Sequence, residues 1–198
     1  MTRMNRRTNI LAALLIAVII ATANCGDLET YSEIPEVEFV QVFLADTTDE
    51  LGNKVKQQDI IIKVTDGDGN LGLNRDEEYI RLDSNSQEKP DTCNLFLKTL
   101  KKTADGNYEN IPNIPEASYR IPYKQPIGQN KYLRAEITIY KTTAQNYIDF
   151  DTVRYEIYVR DRVLNTSNIA ISCDIPIKQH GTFFADGTKE ILEEENVY

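Results

Sequence analysis

Two stretches late in the chain, KYLRAEITIYKT (131–142) and DTVRYEIYVRD (151–161), alternate apolar and polar side chains with a period of two. Successive side chains of a β-strand point to opposite faces, so this period is the signature of a half-buried strand. It predicts Leu133, Ala135, Ile137 and Ile139 on one inward face, and Val153, Tyr155, Ile157 and Val159 on another. No segment beyond residue 25 sustains an apolar stripe at helical spacing. The chain is therefore predicted to be all-β. Without crossover helices its strands must pair antiparallel and bury their apolar faces sheet on sheet.

The remaining strands follow the same logic. EVEFVQVFLAD (36–46) is a first strand with apolar residues on both faces. QQDIIIKVTD (57–66) is a second, with Ile60, Ile62 and Val64 inward. EEYIRLD (77–83) is a short third; CNLFLKTLKKT (93–103) then leads through the ADGN turn into YENI. Asp-Gly and Gly-Asn supply the positive φ that a hairpin turn needs. NIPNIP interrupts pairing because proline lacks a ladder donor, and ASYRIPY (117–123) reads as an edge segment. Seven to nine strands make an antiparallel β-sandwich spanning residues 36–178, with a polar, acidic tail at 179–198. A lipocalin-like barrel is the alternative, less favoured by the irregular spacing and the proline breaks.

The N-terminus carries a different signal. Arg3, Arg6 and Arg7 precede an apolar stretch, Ile10 to Ala21, and small residues lead into Cys25. This resembles a bacterial lipoprotein signal, in which residues 1–24 are removed and Cys25 becomes the lipidated N-terminus. Residues 25–35 then form a tether. All 31 acidic residues lie after residue 24, against 19 of the 22 basic ones, a net charge of about −12. Such a surface disfavours nucleic acid and anionic lipid alike, so any hold on a membrane must come through the lipid.

With Cys25 assigned to lipid, Cys93 and Cys173 remain. Cys93 shares a face with Leu95 and Leu97, and Cys173 with Ile169, Ile171, Ile175 and Ile177, so both are expected inward. Outside the cytoplasm they can form a disulfide. Equally, they can serve as two small buried hydrophobes.

Candidate sites are few. Counted from Asp66 in VTDGDGNLGLN (64–74), Asp66, Asp68, Asn70 and, just beyond that stretch, Glu77 fall at the first, third, fifth and twelfth positions of an EF-hand loop. Leu71 stands where that loop needs glycine, and strands replace the flanking helices. The expectation is a strand-ending turn, with Ca2+ as an occasional weak ligand. In RDRVLNTSN (160–168), Asp161, Asn165 and Ser167 are suited to bond the backbone of a crossing. For catalysis there is one histidine, His180, and no G-x-S-x-G elbow, so no enzyme is expected. Eleven tyrosines and no tryptophan leave a modest case for sugar binding, with Tyr119 and Tyr123 as candidate binding residues.

VTDGDGNLGLN, YRIPY (119–123) and YEIYVRDRVLNTSNIAIS (155–172) together resemble short envelope lipoproteins of Bacteroidetes-type bacteria. The resemblance implies an immunoglobulin-like β-sandwich at the outer membrane, facing the cell surface or the periplasm, with no established activity. It departs at Val163-Leu164, where relatives carry a smaller residue. The expected function is a non-enzymatic binding or assembly module with an envelope protein or a glycan as partner. A surface glycan-binding protein and a calcium-stabilised adhesion-like domain are the alternatives.

Overall fold

The computed structural model describes residues 31–82, 88–125 and 131–192. The leader, Cys25, most of the 25–35 tether and the last six residues lie outside the described residues. Within the described residues no helix is long and apolar enough to cross a membrane.

Two antiparallel sheets enclose one core. The first joins β1 (Glu36–Thr48), β2 (Lys54–Asp66), β8 (Leu133–Ala144), β12 (Gly181–Phe184) and β13 (Lys189–Ile191) in the order β13-β12-β1-β2-β8. The second is built on β5 (Leu95–Lys102) and β9 (Thr152–Val159). β6 (Tyr108–Asn110) and β7 (Ala117–Tyr119) pair β5, while β10 (Ala170–Ile171) and β11 (Ile175–Pro176) pair β9. β3 (Tyr79–Leu82) and β4 (Glu88–Asp91) form a separate hairpin. The domain is thus all-β, with two antiparallel sheets in a sandwich.

The alternating patterns land where a two-faced strand requires. Ile60, Ile62 and Val64 of β2 are buried against Val153, Tyr155, Ile157 and Val159 of β9 within one cluster. The mixed pattern of the first strand has a local cause. A bulge between Phe39 and Gln41 reverses the parity, so Val37 and Phe39 face inward before it, and Val42 and Leu44 after it.

Two sequence expectations are corrected here. The segment after residue 178 is not wholly a tail: β12 pairs β1 along Gln41–Leu44, and Phe183 is buried in the core. His180 consequently sits against the sheet, its Nε2 2.9 Å from Asp46 Oδ2. The second correction concerns 169–177. Ile169 and Ile171 are exposed while Ala170 and Ser172 face inward, and the inward parity moves to Ile175 and Ile177 across the irregular residues 172–174.

The disulfide expectation falls for the same reason of placement. Cys93 and Cys173 are free, half-buried thiols. Asn94 O accepts from Arg160 N, at one end of β9, whereas Ser172 N donates to Tyr155 O much nearer the other end. Six or seven residues of strand separate the two levels, roughly 20 Å at 3.3 Å per residue. A disulfide needs Cα atoms within about 7 Å.

Candidate functional site

The two motifs of the sequence, separated by some ninety residues, meet at one end of the sandwich. β2 ends at Asp66, which is completely buried. Its Oδ2 accepts a hydrogen bond from Leu71 N at 2.8 Å, closing the loop, while Oδ1 is buried with no donor. Burial pushes its carboxyl up to about 6 despite that bond, and neighbouring Asp68 and Asp161 add to the rise. Asp68 in turn accepts from Asn70 N at 3.2 Å and Asn70 Nδ2 at 2.6 Å.

Glycine is required here for close approach. A Cβ on Gly67 would lie 2.3 Å from Tyr31 O and 2.5 Å from Ser32 O, the segment that docks through Gly67 N to Ser32 O. Gly72, at φ +103, would put its Cβ 2.7 Å from the Tyr123 Cα. The loop's glycines therefore let two other chain segments lie against it. Leu73 exchanges main-chain hydrogen bonds with Ile121 and Tyr123, and so ties residues 119–123 to the loop.

Asp161 closes β9 as a turn residue. It is fully buried and accepts from Val163 N (3.0 Å), Asn165 N (2.7 Å) and Asn165 Nδ2 (2.8 Å). Ser167 Oγ accepts from Val159 N and donates to Asn168 O. Leu164 takes a positive φ of 71° in this turn, a conformation costly for a branched side chain. Glu77 is corrected as a metal candidate. Its oxygens receive Arg162 Nη2 at 2.7 and 2.5 Å and the Asn74 amides, and the Asn74 main chain with Arg162 holds its carboxyl down at about 2. Among the described residues no three His, Cys, Asp or Glu side chains gather as a metal cluster.

The candidate tyrosines part company. Arg162 lies over the Tyr123 ring at 3.9 Å, so one face of that ring is already covered and is not free to stack on a sugar. Tyr119 is half-buried and lines a cleft of about 500 Å³ with Leu71, Leu95, Ile121, Leu133 and Ile137. The cleft runs between β8 and residues 119–124. β8 is the edge of its sheet, and its inward residues Leu133, Ala135 and Ile137 are only half covered.

Two asparagines that the sequence reading passed over position these parts. Asn94, fully buried, accepts from Ile121 N at 2.6 Å and holds the cleft wall. Asn168 bonds both the N–H and the C=O of Val37, at 2.9 Å each, and so ties the second motif to the first sheet. Asn168 closes the quoted RDRVLNTSN stretch, which was its only signal; Asn94 had none beyond a polar residue between apolar ones. No family model, no curated protein and no solved structure matches this chain.

Proposed function

We propose that the chain is a non-enzymatic envelope lipoprotein, held to the outer membrane through Cys25, whose sandwich is a binding module for an extended apolar segment of a partner envelope protein. The observation carrying this reading is the cleft beside β8. Its walls are mostly apolar, with Arg120, Lys124 and Glu136 also among the lining residues, and among the described residues no strand pairs with the outer edge of β8. An added strand would bond to that edge and set alternate side chains into the cleft. Two antiparallel sheets over one core support the immunoglobulin-like arrangement that the resemblance implies.

Purified full-length protein should bind saturably to arrayed peptides with alternating apolar residues. Ala135→Phe, which fills the cleft, should abolish that binding, and Tyr147→Ala, on an exposed residue, should preserve it. Saturable binding to a glycan array, lost in the same variant, would replace peptide with sugar as the ligand. Failure on both arrays would end the binding-module reading.

A further inference from the structure

We propose that the loop 66–70 is a calcium site, with Asp66 Oδ1, a carboxylate oxygen of Asp68 and Asn70 Oδ1 as its protein ligands. Three alternate residues of one short loop supply these oxygens. Asp66 is completely inaccessible, yet Oδ1 has no donor, and Asn70 Oδ1 is likewise buried without one. Native interiors pair nearly all such atoms, so two orphaned acceptors in one loop point to a group that accepts their lone pairs. Asp68 neighbours both: it accepts from Asn70 Nδ2 at 2.6 Å, and its carboxylate lies close enough to that of Asp66 to hydrogen-bond with it and to repel its charge.

The local charges favour a cation. Asp161 adds a second fully buried carboxylate nearby, but its oxygens are engaged by its own turn, so it contributes field and not a ligand. Arg162 of that turn is committed to Glu77 and the Tyr123 ring. An all-oxygen donor set of carboxylates and an amide suits a hard ion, and calcium accepts irregular geometry completed by water or carbonyls. Asp68 and Asn70 are half-buried, which leaves a solvent-facing side for those waters. Three protein side chains make a weak site, in the range of about 10⁻⁴–10⁻³ M typical of extracellular modules.

The test uses full-length protein, unfolded thermally in chelator and in about 5 mM CaCl2, with MgCl2 at matched ionic strength as the comparison. Calcium should raise Tm by about 3–5 °C and magnesium by less. Calorimetric titration with CaCl2 should show affinity falling at least tenfold in Asp68→Asn, whose half-buried side chain makes it the safer variant. Asp105→Asn, which removes the same charge from an exposed hairpin, should bind as the wild type does. No rise in Tm, an equal rise with magnesium, or full affinity in Asp68→Asn would each overturn the site.

Discussion

Replacing Tyr155 by Phe removes a single oxygen from the centre of the core. Tyr155 is completely buried, and its hydroxyl donates to Gln58 Oε1 at 2.5 Å. Gln58, equally buried, donates from Nε2 to Thr143 Oγ1 at 2.8 Å, and Lys141 Nζ donates to the same oxygen at 2.7 Å. The chain of bonds crosses the interior from β9 to β2 and on to β8, joining the two sheets through polar groups. Loss of the hydroxyl forfeits one hydrogen bond, worth about 1 kcal/mol net, and strands Gln58 Oε1 away from water, at about 1–3 kcal/mol. Phe fills the same space, so no cavity term is added. The expected loss is about 2 kcal/mol, or roughly 4–8 °C in Tm for a domain of this size. Urea unfolding at pH 7 measures it as a lower midpoint with unchanged slope. The double variant Tyr155→Phe with Gln58→Leu should cost less than the sum of the singles by about 1–2 kcal/mol, because it leaves that acceptor absent. A single-variant loss below about 0.5 kcal/mol, or strict additivity, would refute the coupling of the sheets through this network.

Three other outcomes are expected. Asp161→Ala deletes three hydrogen bonds to a buried turn and should cost about 2–3 kcal/mol in urea unfolding, against about 1 for Asn165→Ala. Leu164→Gly relieves the left-handed backbone and should stabilise the protein by up to about 1 kcal/mol, read as a raised Tm. Burial alone would raise Asp174, but hydrogen bonds from Lys102, Tyr108 and Arg154 hold it at about 2. Its folded value lies below the ordinary 3.8, so its stabilising contribution is present above pH 3.8 and is lost as pH falls through about 2. Asp174→Asn should flatten that acid limb of the Tm–pH curve.

Period-two alternation was enough to predict β2, β8 and β9 together with their inward faces, because a strand's two faces depend only on residue parity within it. The ADGN turn was legible for a similarly local reason: its backbone demands fall on four consecutive residues, and Thr103 and Asn107 close it as a hairpin. The bulge at residue 40 was visible only as a mixed pattern, since parity inverts without a sequence marker. Partner choice was not legible at all. β12 joins β1 across some 140 residues, and Phe183 enters the core because that pairing buries it. The same holds for the site: Asp66 and Asp161 each looked like an isolated turn, and their charges interact only because the two sheets bring the ends of β2 and β9 together. Cys93 and Cys173 show the converse, two residues alike in local pattern that register sets far apart along β9. Local conformation follows from neighbours in the chain, whereas burial, charge and ligand geometry depend on which distant segments pack together, and that is decided by the tertiary structure.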